Sequence, residues 1–116
     1  MSVIKTFRDL IAWQKAIELA LAVCKAAKQM PRTEPFGLTN QMRRVAVSAQ
    51  SNIAEGYARQ SRLDYRKFLR TASSSLAELV TQYELTMSLN MLKEEKQLTG
   101  LLKEEDRTLP GLIRSL

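Results

Sequence analysis

The stretch Gln41–Arg59, QMRRVAVSAQSNIAEGYAR, decides how this chain is read. Its spacing is helical. Met42, Val45, Ala49 and Ile53 recur at steps of three and four and form an apolar stripe. Beside that stripe run Arg44, Ser48, Ser51 and Glu55, with Asn52 next to Ser48 and Glu55. A surface helix needs only one wet face, and Arg43, Gln50 and Arg59 already supply it. A second polar stripe bordering the core predicts a hydrogen-bond network, because buried polar groups need partners.

The segments on either side are helical too, and no strand pattern competes with them. The first helix is expected from Asp9, read as its N-cap, to Gln29, with Leu10, Trp13, Ile17, Ala20/Leu21, Cys24 and Ala27 on its apolar stripe. Pro31 and Pro35 bound a loop, since proline lacks a backbone donor and disfavours helix in the residue before it. The second helix is expected from Leu38 to Arg59, with Gly56 in its last turn either loosening it or permitting a close contact. Ser61 and Asp64 have capping-box spacing and open a third helix. There Tyr65, Leu69, Ala72, Leu76, Leu79, Tyr83 and Thr86 alternate steps of four and three, the seam of a near-antiparallel bundle. Asn90 suits a left-handed stop. A fourth helix is expected from Leu92, with Pro110–Gly111 kinking or interrupting it. Short connections make sequential helices antiparallel neighbours. The expectation is an all-α, up-down-up-down antiparallel four-helix bundle in one domain, residues 1–116.

A hairpin of the second and third helices about the Gln60–Leu63 turn fixes a register in which facing residue numbers sum to about 123. Ser48 then faces Ser75 and Asn52 faces Thr71, while Arg44 lies near Glu78 or Leu79 and Gln41 level with Gln82. Arg44 and Glu55 are roughly 16 Å apart along one helix, so each needs a partner elsewhere. Arg44, Ser48, Asn52, Glu55, Ser75 and Glu78 are therefore read as a structural polar network, with a ligand site or a catalytic site as competing readings. One carboxylate, no histidine and no glycine-rich anion loop make a poor catalytic constellation.

Histidine is absent, which excludes His-based acid–base and nucleophile chemistry and most zinc sites. No metal ligand set, cofactor motif or catalytic residue is assigned, and the chain is read as a non-enzyme. The lone Cys24 permits no internal disulfide and is expected to be a buried thiol. The start, MSVIKTFRDL, has no signal-peptide pattern, and no apolar run approaches the roughly 20 residues that span a bilayer. A cytoplasmic protein without membrane association is expected.

The formal net charge is +6, and all of the excess falls in residues 1–90, which hold 13 Lys/Arg against 7 Asp/Glu. Such a field favours an anionic partner. The densest basic run is Arg59, Arg62, Arg66, Lys67 and Arg70, opposed only by Asp64. Arg62, Arg66 and Arg70 are spaced i, i+4, i+8 and form one stripe outside the apolar seam. Guanidinium groups in a row bind successive phosphates, and Tyr57 offers a stacking face nearby. These five residues are the candidate nucleic-acid contacts, for RNA or DNA. The alternative is a solvated face on a protein–protein interaction scaffold that binds no nucleic acid.

The residues also resemble a known family. Phe7, Leu10, Trp13 and Ala16 match its opening pattern, F-x-x-L-x-x-W-x-x-A. Phe36–Gly37–Leu38, Gln41, Arg43–Arg44, Ser48 and Asn52–Ile53–Ala54–Glu55–Gly56 match its central signature. Arg59, Ser61, Tyr65, Phe68–Leu69, Ala72, Ser75–Leu76 and Glu78–Leu79 continue the match. The chain is similar to the four-helix bundle proteins encoded in intervening sequences of bacterial 23S rRNA genes. It is more remotely similar to the accessory variability proteins of diversity-generating retroelements. The resemblance implies a homopentameric ring and no established enzymatic role. Its remoter arm implies binding of nucleic acid. Ser74, where many members carry glycine, and Pro110, in a helix usually continuous, depart from the pattern.

Overall fold

The computed structural model describes residues 3–116, so the first two residues of the MSVIKTFRDL start lie outside it. Four helices follow in order: α1 (Ile11–Ala27), α2 (Leu38–Ala58), α3 (Arg62–Ser88) and α4 (Lys96–Arg114). Each packs on its chain neighbour and α4 closes against α1, which makes an up-down-up-down bundle. The long axis, 44 Å, is set by the 27 residues of α3, roughly 40 Å of helix.

Local sequence explains most of the boundaries. Asp9 does not cap α1 as expected. It closes a single 3-10 turn, Phe7–Asp9, in which the Thr6 hydroxyl accepts from Arg8 and the Asp9 carboxylate accepts the backbone N–H groups of Lys5 and Thr6. Those two donors hold the Asp9 carboxyl below its ordinary range. α1 then starts at Ile11, with Leu10 at its N-cap and no side-chain cap. The Ser61 hydroxyl accepts from the Asp64 N–H and starts α3 as its spacing requires. The far end of α3 closes in a Schellman motif, with Asn90 at φ 59°, its N–H on Met87 O and the Met91 N–H on Thr86 O.

α4 begins at Lys96 rather than Leu92, because Leu92 is buried as an anchor of the connecting loop. Tyr83 ties this start down: its Oη accepts the Glu95 N–H at 2.8 Å and lies 3.1 Å from Thr99 Oγ1. Pro110 does not interrupt the helix. It removes one backbone bond and crowds the carbonyl four residues back, but Leu109 is buried and Leu112, Ile113 and Leu116 pack at that end of the core. Their burial offsets the defect and carries the helix through.

The core divides into two clusters. One is built on Leu19, Val23, Met42, Leu76, Leu79, Leu98 and Leu102, the other on Leu10, Ala16, Ile53, Leu69 and Leu109. The α3 seam is as expected, with every member from Leu69 to Thr86 buried and Tyr65 half-buried. Of the expected α1 stripe, Leu10, Ala20 and Ala27 are buried, but the face is centred elsewhere. Ala12, Ala16, Leu19, Val23 and Ala26 face inward, Cys24 is only half-buried, and Leu21 is 67% exposed. An alanine face lets α1 approach its neighbours closely, which a Leu21 face would prevent.

Three buried positions among the described residues are polar, Ser75, Thr86 and Glu105, and the last is a carboxylic acid. Glu105 of α4 is 1% exposed, and neither carboxyl oxygen has a hydrogen-bond partner. It sits between Leu102 of one cluster and Leu109 of the other. Burial pushes its carboxyl up to about 8, against a smaller opposing pull from Lys15. Lys15 itself pairs with the neighbouring Glu104 at 2.7 Å, a partly exposed contact of small stabilising value. At neutral pH Glu105 is therefore a buried, protonated acid. Because its folded pKa is raised, its contribution is best below the ordinary carboxylate value. Stability then falls as pH rises from about 4.5 to about 8 and is flat above. Glu105→Leu should raise the melting temperature and remove most of this slope in thermal melts between pH 5 and pH 9. Glu105→Gln should flatten the slope while keeping an unpaired polar group.

Candidate nucleic-acid interface

The end of α2 and the start of α3 cross unusually closely, and Gly56 is the reason. A Cβ at this position would lie 2.8 Å from Phe68 Cβ and 3.2 Å from both Tyr65 Cδ1 and the Tyr65 carbonyl. Of the two roles open to Gly56, the close contact is the one present. Tyr65 and Phe68 are drawn against α2, and Tyr57 meets Tyr65 edge to face at 6.0 Å. Desolvation raises the Tyr65 hydroxyl above its ordinary range. Arg59 leaves α2 with extended backbone, its N–H on Gly56 O, and places its guanidinium 4.6 Å above the Phe68 ring.

The five candidate cations gather around this junction but do not form one row. Phe68, two turns before Ser75, faces α2 with Arg59 over it. Arg66 lies about five turns before Glu84, which lines the groove between α3 and α4, so Arg62, Arg66 and Arg70 follow the α4 side. Lys67 is exposed on the outer surface between the two sides. Arg59, Arg62, Lys67 and Arg70 are exposed and Arg66 half-buried. Among the described residues, none of the five makes an ion pair within 4.0 Å. Arg62 and Arg66 also stand in the first turns of α3, where the helix dipole is positive and only Asp64 opposes them. This electrostatic arrangement costs stability unless an anion relieves it.

The polar network is smaller than the sequence suggests. Ser48 Oγ and Ser75 Oγ lie 3.0 Å apart, in the register the hairpin requires. Asn52 Nδ2 donates to Ser48 O at 2.8 Å and Ser48 Oγ at 3.1 Å, not to Thr71, whose hydroxyl donates to Lys67 O. Gln82 donates to Gln41 at 3.4 Å. Arg44, Glu55 and Glu78 are exposed, and Arg44 and Glu78 do not pair within 4.0 Å. Their long side chains carry the charge out to water rather than into the core. Arg44 and Glu78 line a shallow groove with Ser48 and Ser75, and Glu55 lies outside it. This groove does not join Arg44 to Glu55.

Sequence reasoning missed the Arg59–Phe68 stack and Glu105. The first had a signal, an aromatic residue at the α2–α3 crossing opposite a small-residue turn. The second also had one: Leu98, Leu102, Glu105 and Leu109 step by four, three and four, so Glu105 occupies a core position of the seam. A double-mutant cycle on Ser48→Ala and Ser75→Ala should give a coupling of about 1 kcal/mol in urea unfolding. The double variant should be less destabilised than the sum of the singles, because neither hydroxyl is then left alone.

Comparison with curated proteins gives no match. A family model described as the 23S rRNA-intervening sequence protein matches residues 8–111, from the 3-10 turn through Gly111 of α4. With four helices in bundle order and that match over most of its length, the chain belongs to the 23S rRNA-intervening sequence protein family.

Proposed function

We propose that this protein is a non-enzymatic, homo-oligomeric bundle that binds nucleic acid, alone or in a nucleoprotein, through the cations at the start of α3. The observation that carries this reading is the set of five cations, Arg59, Arg62, Arg66, Lys67 and Arg70, with no ion pair among the described residues. Phosphates satisfy such a set in a way that surface carboxylates here do not. Each phosphate takes a bidentate guanidinium contact, and the α3 dipole adds to the attraction. The charge asymmetry of the chain points the same way.

Self-association into a pentamer follows from the family resemblance. Large apolar side chains left in water support an assembled form. Leu63 is 74% exposed, and Leu21, Val47 and Leu85 are exposed on α1, α2 and α3. Assembly also multiplies the basic field, because each copy adds its own α3 start. No helix of the described residues is long and apolar enough to cross a membrane. A cytoplasmic setting with RNA or DNA as the anionic partner is the corresponding proposal. Among the described residues no group of three metal-ligating side chains gathers, so no metal chemistry is invoked.

Sedimentation equilibrium should give five times the 13.2 kDa chain mass. A monomer at micromolar concentration contradicts the assembly. Affinity for a labelled RNA or DNA oligonucleotide should fall steeply with salt. Arg62→Ala/Arg66→Ala/Arg70→Ala should reduce the log–log salt slope by roughly 2 to 3, about one for each lost phosphate contact. Absence of binding at low salt contradicts the nucleic-acid reading and favours a protein-binding scaffold.

A further inference from the structure

We propose that Arg59, seated over Phe68, is a base-stacking platform that makes this interface select unpaired nucleic acid over duplex. The inference rests on the nucleic-acid reading above and adds to it the form of the ligand. Three features of the junction carry it.

The first is preorganisation. Phe68 cannot move toward α2, since its Cβ already occupies the space a side chain at Gly56 would need. The Arg59 backbone is anchored from the other side, extended and with its N–H bonded to Gly56 O. A guanidinium placed over a fixed ring loses little further freedom on binding.

The second is availability. Arg59 is exposed and its guanidinium makes no ion pair or side-chain hydrogen bond among the described residues. The guanidinium lies over the ring and the residue is open to water. A guanidinium is a planar, cationic surface of the kind on which unpaired bases stack.

The third is the division of the cations around α3. The Arg59–Phe68 stack lies on the α2 side, Arg62, Arg66 and Arg70 on the α4 side, and Lys67 between them. Contacting both sides requires a ligand that bends around a helix about 10 Å wide. A single strand does this freely, laying one base on Arg59 and the next phosphates on Lys67 and the arginine stripe. A duplex is stiff over about 150 base pairs and hides its base faces in its own stack. It reaches the stripe alone.

The test is fluorescence polarisation at low salt with labelled rU12, dT12 and a blunt-ended 12-base-pair duplex. Proteins are the wild type, Arg59→Lys and the Arg62→Ala/Arg66→Ala/Arg70→Ala variant, each first checked for native helicity. Arg59→Lys keeps the charge and removes the planar surface. It should weaken rU12 and dT12 binding about tenfold and duplex binding much less, so that the single-strand preference is lost. The triple variant should weaken all three probes. Equal wild-type affinity for single strand and duplex, or an Arg59→Lys variant that keeps the single-strand preference, overturns the platform and leaves the nucleic-acid reading standing. No binding of any probe overturns both.

Discussion

The contact between Gly56 of α2 and the first turns of α3 is the constraint on which the rest of this molecule depends. With no side chain at Gly56, the two backbones approach until Phe68 Cβ fills the space a Cβ would take. That approach sets the α2–α3 crossing, and the short turn beside it holds Ser48 opposite Ser75 further along the hairpin. It also brings Tyr57 against Tyr65 and seats Arg59 over Phe68. The fold and the candidate interface thus share one origin. A wider crossing would loosen the hairpin and scatter the aromatic and cationic groups at its turn.

Away from this junction the bundle tolerates poorer chemistry. Its two apolar clusters are separated on α4 by Glu105, a buried acid with no partner. α4 also carries Pro110 and starts without a side-chain cap, relying on Tyr83 to hold the Glu95 N–H. Glu105 and Pro110 both fall on α4, while α2 and α3 pair through small side chains and continuous seams. The family match covers both halves, so this unevenness belongs within one family fold.

What was legible in the sequence follows the size and chemistry of the side chains. The α3 seam was plain because large residues, Leu69, Leu76, Leu79 and Tyr83, mark it at regular steps. The Ser48–Ser75 pairing was legible because a short turn fixes the hairpin register. The α1 face was read only in part: Leu10, Ala20 and Ala27 are buried as expected, but alanines carry little hydrophobic signal, so Ala12, Ala16 and Ala26 were passed over and Leu21 lies outward. Arg44 and Glu55 border the core stripe in sequence, but their flexible chains reach water, and only the short Ser48 and Asn52 stay in the network. Glu105 escaped notice because a carboxylate is expected in water, although its position in the α4 seam points inward. The cations of the candidate interface were visible as a run. Their division across two sides of α3 depends on the crossing and could not be read from spacing alone.

The most direct test of the central contact compares two glycine-to-alanine substitutions by urea unfolding. Gly56→Ala and Gly100→Ala gain the same helix propensity, roughly 1 kcal/mol. A Cβ at Gly100 meets nothing within 4 Å, whereas one at Gly56 meets Phe68 and Tyr65. Gly100→Ala should therefore stabilise the protein, and Gly56→Ala should destabilise it by about 1–3 kcal/mol through overpacking. A Gly56→Ala variant as stable as Gly100→Ala would contradict the account.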